Sequence, residues 1–443
     1  MSTTFTDEPL LRLRAFRNLF VAGAVSQFGS QISYVALPLL AVTALGAGPG
    51  EVGLLAALGT LTVLLLGLPA GAWVDRVRRR PVMIAADLSR AAVLLSVPLA
   101  WWGGWLGMGQ LYAVAVLVGA GSLVFDVASL SLVPGVVGRD RLTAANSLLV
   151  GTGAGMDIAG RSVAGVLVQA VGAPVAILVD AVSYLWSAVW LRGVHEPRAR
   201  VREPSARSGE VREPSARSRG GRETAGGSCG GREAVGGARG GEGIGRQIGA
   251  GVRFLFGDRV LVAALVQGTM ANLAFPLCSV LLPVLVVEQL GYPEWVLGAY
   301  LAVGGLGTLA GSTSAHLLGR RLGTGRATLL VSLATAPASL VIPFLGSGPW
   351  LWAAAGAWFV LTFRVGVNNV LLVSLRQRVT PDDMLGRMTA TMRLLLMGAV
   401  GLGGLLAGLL GEVWGVRSAL WLGALIMALS WLPILRSDLR HQP

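Results

Sequence analysis

Of the 443 residues, 53% are hydrophobic and 13% charged, and the mean hydropathy is +0.67. A soluble domain takes about a quarter of its residues from Asp, Glu, Lys and Arg, so a water-soluble globule is excluded and a polytopic membrane protein is indicated. The formal charge of +13 comes from 36 basic residues, all of them Arg, against 23 acidic ones. Most arginines flank apolar segments, which reads as a topology signal and gives no reason to expect nucleic acid as a partner.

At the N-terminus, Asp7 and Glu8 precede Arg12, Arg14 and Arg17 and then an apolar run too long for a signal-peptide core, so the first span is expected to be retained. At about 20 residues per spanning helix, apolar windows at 17–44, 50–74, 81–104, 108–133, 143–170 and 174–191 predict six spans. The stretch 192–257 is built of Arg, Glu, Gly, Ser and Pro and repeats VREPSARS at 201–208 and 211–218. Too few apolar residues are present there to offset ordering entropy, so a disordered linker is expected, its glutamates diluting the field that RNA or anionic lipid would need. Six further windows follow at 260–287, 295–318, 326–346, 350–374, 387–411 and 416–435.

The prediction is an all-α membrane protein of twelve transmembrane helices: a six-helix bundle over 1–191, the linker 192–257, and a second six-helix bundle over 258–443. With both termini in the cytoplasm, the inner connections carry Arg76, Arg78, Arg79, Arg80, Arg139, Arg141, Arg320, Arg321, Arg326, Arg376, Arg378 and Arg387, whereas the outer ones hold Arg417 alone. The positive-inside rule fixes that orientation.

The halves resemble each other. Leu66, Gly67, Ala70 and Gly71 recur as Leu306, Gly307, Ala310 and Gly311, and Phe125-Asp126-Val127 recurs as Phe363-Arg364-Val365. A parallel repeat places a substrate site between the halves near the bilayer midplane, worked by rocking one against the other.

Span 2 ends in GAWVDRVRRRP, Gly71 to Pro81, where Gly71, Asp75, Arg76, Arg79 and Arg80 match the loop signature of the major facilitator superfamily; Trp73 and Arg78 depart from it. The chain resembles that superfamily along its length. The pieces AADLSRA at 85–91, LVDAVSYLWSA at 178–188 and LRQRVTPDDMLGRMTATMR at 375–393 further resemble its enterobactin-exporter and macrolide-efflux-like branch. The resemblance implies proton-driven export of a bulky, partly apolar small molecule from a bacterial plasma membrane, by a chain expected to act as a monomer. It also implies a cytoplasmic gate at Asp75, Arg76 and Arg79, whose carboxylate at a helix end could pair with either guanidinium. Gly151, Gly155, Gly160 and Gly165 of span 5 resemble the exporters' glycine ladder, except that Arg161 stands where Pro is expected.

A charge at mid-depth costs about 2.5–3.5 kcal/mol on insertion scales, so intramembrane ionisable residues should face the bundle interior and find partners. Asp157 and Arg161 lie four apart on one helix face and could pair. Asp126 and Arg364 occupy equivalent places in the repeats and are expected to face each other across the cavity. A carboxylate paired with Arg is charged while the pair is closed and can take up a proton when it is separated, which is what proton coupling requires; a static bridge between helices is the alternative. Asp180 is expected to be structural, and Asp87, Arg90 and Arg393 to lie nearer the cytoplasmic ends.

For the substrate, span 1 offers Gln27, Gln31 and Tyr34 at i, i+4 and i+7, span 7 offers Asn272 and Phe275, and span 10 offers Asn368 and Asn369. These groups suit amphipathic ligands, or equally hydrogen bonds between helices. Cys229 and Cys278 form no framework, and His195, His316 and His441 have no partner spacing, so neither metal nor cofactor is expected. A phosphate-binding loop ending in Gly-Lys is impossible in a chain without Lys. The expected class is secondary transport rather than an enzyme, with proton-coupled uptake of an organic anion, in which Arg161 or Arg364 pairs with the substrate, and a non-transporting membrane sensor or scaffold as the alternatives to export.

Overall fold

The computed structural model describes residues 10–74, 76–138, 141–194 and 253–437; most of the expected linker and Asp75 lie outside these. Among the described residues, twelve helices of 14 or more residues form the fold: α1 (Arg14–Leu45), α2 (Pro49–Val74), α3 (Arg79–Trp102), α4 (Met108–Val137), α5 (Leu142–Val171), α6 (Ala173–Leu191), α7 (Arg259–Ser279), α8 (Glu294–Leu322), α9 (Thr324–Ser339), α10 (Pro349–Val379), α11 (Asp382–Trp414) and α12 (Val416–Leu429). Eleven of these, with short continuations, are long and apolar enough to cross a bilayer. The exception is α5, which has the length for a crossing, at about 1.5 Å per residue, but carries Asp157, Arg161 and Gln169. Its polarity is affordable because it packs against α1 of its own bundle and α8 of the other rather than standing in lipid.

Each repeat wraps the same way. In the first, α1 lies along α5 and α6, and α3 along α4 and α6; the bundles meet through α2 against α11 and α5 against α8. Internal symmetry reaches the backbone. Gly172 joins α5 to α6 with φ 85° and ψ 156°, and Gly415 joins α11 to α12 with φ 85° and ψ 157°. That conformation is closed to residues with a Cβ, so the same glycine is required twice.

We call the end that carries Leu10 and Ser437 the terminal end and the opposite one the loop end. At the loop end the bundles are in backbone contact. A Cβ on Gly165 of α5 would come within 2.6 Å of Gly298 Cα on α8, and one on Gly408 of α11 within 2.9 Å of Gly53 Cα on α2. Two hydrogen bonds cross beside these contacts. Glu412 of α11 accepts from Gly50 N at the start of α2 at 3.1 Å, and Gln169 of α5 accepts from Trp295 N at the start of α8 at 3.2 Å. Each side chain sits three residues before its symmetry-related glycine, so one repeat's helix caps the first turn of the other's, satisfying a donor that the helix cannot satisfy itself. Toward the terminal end the glycine faces of the same helices are open: Gly67 and Gly71 on α2, and Gly151, Gly153 and Gly155 on α5, have nothing within 4 Å of a built Cβ. Of the ladder foreseen in span 5, only Gly160 and Gly165 make close approaches.

The bundles are therefore joined at the loop end and parted at the terminal end. Gly165→Ala should cost about 1–3 kcal/mol by overpacking two backbones, whereas Gly155→Ala should leave this conformation's stability unchanged. Thermal unfolding of the two purified variants checks the difference.

Candidate functional site

A cavity of about 520 Å³ lies between the bundles, lined by both. Its walls differ. The first bundle contributes Ser30, Gln31, Tyr34, Arg161 and Asp180, while the second contributes Phe275, Trp358 and Thr362. Phe275 and Tyr300 stack on Trp358 at 5.4 and 5.6 Å between centroids, which fixes the indole in place.

Polar groups of the first wall are organised by α1. Asp157 Oδ1 accepts from Gln27 Nε2 at 2.6 Å and from Gln31 Nε2 at 2.8 Å. Gln31 then presents its carbonyl oxygen to Arg161 Nε at 2.7 Å, and the Arg161 guanidinium lies 4.9 Å from the Tyr34 ring centroid. The direct pairing of Asp157 with Arg161 is not made; Gln31 stands between them and bonds to both. Its amide can do so in one orientation only, NH₂ to the carboxylate and oxygen to the guanidinium, so the network is polarised.

One residue further round α1 runs a second polar stripe. Ser30 Oγ and Tyr184 Oη of α6 are 2.8 Å apart, Ser183 donates to Asp180 at 3.1 Å, and Ser33 lies alongside that carboxyl. Arg90 of α3 forms an ion pair with Asp87, donates to Ser122 of α4 at 3.1 Å, and is held between the rings of Phe125 and Tyr184 at 4.8 and 4.0 Å. This guanidinium joins three helices through ion pair, hydrogen bond and cation–π contact. Asp87 and Arg90 thus belong at the centre of the bundle rather than near its end.

Asp126 and Arg364 do not face each other. Arg364 is 1% exposed, turned into its own bundle, and donates through Nη1 to Met427 O of α12 at 2.9 Å. The repeat places the two residues at equivalent positions of two bundles, and equivalence does not turn them toward one another. Asp126 is exposed between the bundles, and the guanidinium charges acting on it are Arg90 and, from α11 of the opposite bundle, Arg393. Arg393, expected near the cytoplasmic end, is the cation that acts on Asp126 from across the cleft.

Of the expected cavity residues, Gln31, Tyr34 and Phe275 line it. Gln27 supports Asp157 from behind. Asn272 bonds back to Gly268 O of its own helix at 2.9 Å, Asn368 is buried and donates to Ser332 of α9 at 3.2 Å, and Asn369 is exposed outside the lining. The alternative of a bond between helices holds for Asn368. Of the gate residues, Arg76 is exposed and Arg79 half-buried, while Asp75 is outside the described residues. Arg80 has a task that the sequence did not show: it donates to Leu191 O at 3.1 Å and to Arg192 O, tying the start of α3 to the end of α6. Among the described residues no group of His, Cys, Asp and Glu is placed to hold a metal ion.

Arg90→Met would leave Asp87 charged and buried without its partner, at a cost of about 3–5 kcal/mol. Arg90→Met with Asp87→Asn should recover much of that loss. The yield and melting temperature of monodisperse protein measure both.

Compared with known proteins, residues 19–401 match the Major Facilitator Superfamily. The multidrug efflux pump Tap of Mycobacterium tuberculosis is 26% identical over 427 residues, covering 91% of this chain and 88% of the pump. Among solved structures, a bacterial homologue of the iron transporter ferroportin in its inward-facing state aligns with a TM-score of 0.68 at 18% identity, over 97% of this chain and 99% of that one. The same homologue in its outward-facing state aligns with 0.58 at 18% identity, over 96% and 99%.

Proposed function

Because the chain belongs to the Major Facilitator Superfamily, it is a secondary membrane transporter and not an enzyme, and we propose that it exports small amphipathic organic compounds in exchange for protons. The observation that carries this reading is the distribution of charge around the cavity. Within the membrane-spanning part of the first bundle, Asp87, Asp126, Asp157 and Asp180 stand against Arg90 and Arg161; in the second, Arg364 and Arg393 have no carboxylate at comparable depth. Carboxylates in excess beside a half-apolar chamber suit a cargo that is neutral or cationic and that trades places with protons. The relation to multidrug efflux pumps supports the outward direction.

In this reading the membrane is the bacterial plasma membrane, both termini are cytoplasmic, and the terminal-end opening is the inward-facing state of a monomer. Substrate enters the chamber from the cytoplasm, its apolar body against Phe275 and Trp358 and its polar part against Gln31, Tyr34 and Arg161. Asp126 and Asp157 are the carboxylates that respond to protons. When Asp126 is charged it attracts Arg393 across the cleft and favours closing the terminal end; a proton on it removes that attraction. Asp75, Arg76 and Arg79 secure the closed terminal end, and Arg364 serves the packing of its own bundle rather than the coupling.

A second reading rests on Arg161. Among the described residues no carboxylate lies within ion-pair distance of it, and an organic anion taken up with protons would find there its one cation in the chamber wall. Removing that charge separates the readings: anionic compounds alone would be lost as substrates in Arg161→Gln.

The test is the accumulation of a panel of cationic, neutral and anionic dyes and antibiotics in an efflux-deficient bacterial host. Wild type should lower the accumulation of some cationic or neutral compounds, and a proton uncoupler should abolish the effect. Asp126→Asn, expressed to the same level in the membrane, should behave as empty vector. Full uphill export by that variant would remove Asp126 from the coupling.

A further inference from the structure

The buried cluster beneath the cavity wall has a charge balance that its structural role does not explain. Asp87 and Asp180 are both 0% exposed and Arg90 is 3% exposed. Arg90 is committed to Asp87, so Asp180 has hydroxyls for neighbours and no cation of its own. The Oδ2 atom of each carboxyl lacks a hydrogen-bond partner. Two carboxyls and one guanidinium buried together are neutral only with one proton among them, because a buried charge without a partner is costly.

We propose that Asp180 carries an exchangeable proton of the transport cycle, with the Asp87–Arg90 pair fixed beside it. This rests on the proton-coupled export reading and adds to it a site that Asp126 and Asp157 do not provide, one mechanically joined through α1 to the groups that meet the substrate. Asp180, Ser33 and Tyr184 border the chamber, which gives the proton a way in and out. On the other side, α1 lies directly against the carboxyl: a Cβ on Gly29 would come within 2.7 Å of Ser183 Cβ and meet Asp180 itself. The same helix holds Gln27, Gln31 and Tyr34 on its α5-facing stripe. A cargo that displaces Gln31 moves α1, and with it the serines and backbone that surround Asp180.

The step is proton transfer alone. Water on the outer side gives a proton to the Asp180 carboxylate, and after the cleft inverts the acid returns it to water on the inner side. The groups that face Asp180 are few. From α3 come Asp87 and Arg90, from α6 itself Tyr184, and from α1 only serine hydroxyls. Across α1, Asp157 engages Gln27 and Gln31, and Arg161 engages Gln31 and Tyr34. On α4, Asp126 is directed to Arg90 and Arg393.

The experiment uses the full chain in lipid nanodiscs, with Cys229→Ser and spin labels on Gly135→Cys of α4 and Gln377→Cys of α10, which report the width of the terminal-end opening. Across a pH titration the wild type should shift between a wide and a narrow population. Asp180→Asn should lose the Asp180 component of that response while unfolding at the wild-type temperature or above, since it removes a buried acid. Asp180→Glu should keep the response with a displaced midpoint. An unchanged pH response in folded Asp180→Asn overturns the assignment, and should that variant not fold, an unchanged midpoint in Asp180→Glu does so. A wild type whose populations ignore pH overturns the proton-coupled reading itself, a result distinct from either variant's.

Discussion

An ionisable side chain inside a bilayer must be paired, and the first bundle meets that constraint around one helix. Seen along its axis, α1 presents Ser26, Ser30 and Ser33 in one row and Gln27, Gln31 and Tyr34 in the next, offset by a single residue or about 100°. The first row meets the buried Asp180 and Tyr184 on α6; the second meets Asp157 and Arg161 on α5. Both groups are bonded to α1, so a shift of α1 alters the two together. The second bundle has no such arrangement. Its cavity face is aromatic, and its deep Arg364 is settled against Met427 O.

Division of charge between the bundles also bears on how they move. Carboxylates are in excess in the first bundle and Arg393 faces Asp126 from the second, so protonation changes the attraction between bundles as well as the state of a site. At the loop end the contact is of another kind: glycine backbones pressed together, with Glu412 and Gln169 capping helices of the opposite bundle. These contacts are short in range and lost on a small separation, whereas the attraction across the open cleft acts over a longer distance. A transporter joined by close contact at one end and drawn by charge at the other can alternate without either state becoming a trap.

Much of this was legible in the sequence. Apolar windows gave the helices, because spanning a bilayer imposes length and composition on each one. The i, i+4, i+7 spacing of Gln27, Gln31 and Tyr34 gave a polar face of α1, but Asp157 and Arg161 read as partners of each other, and only the packing of α5 on α1 shows that they engage that face instead. Relations between helices were less legible. Repeat symmetry relates Asp126 to Arg364 by a rotation between bundles and says nothing about which way either side chain turns, so the expected pair was wrong and Arg393, outside the repeated motif, took its place. Asn368 is as polar as Gln31, and only the packing of α10 on α9 tells that it is occupied. The serine stripe of α1 carried no signal, since serines are common in spanning helices. Asp87 and Arg90 read as residues nearer the cytoplasmic end, and only the packing of α3 on α4 and α6 shows them as a buried pair at the centre of the bundle.

The central claim is that cargo and protons exchange through one chamber. Inverted membrane vesicles, energised to be acid inside and loaded with a fluorescent pH probe, test it most directly. Adding a compound that the protein exports should drain protons from the vesicles as the compound enters, only when the protein is present, and the drain should saturate with the compound. Accumulation of that compound by the protein with no movement of protons would contradict the account.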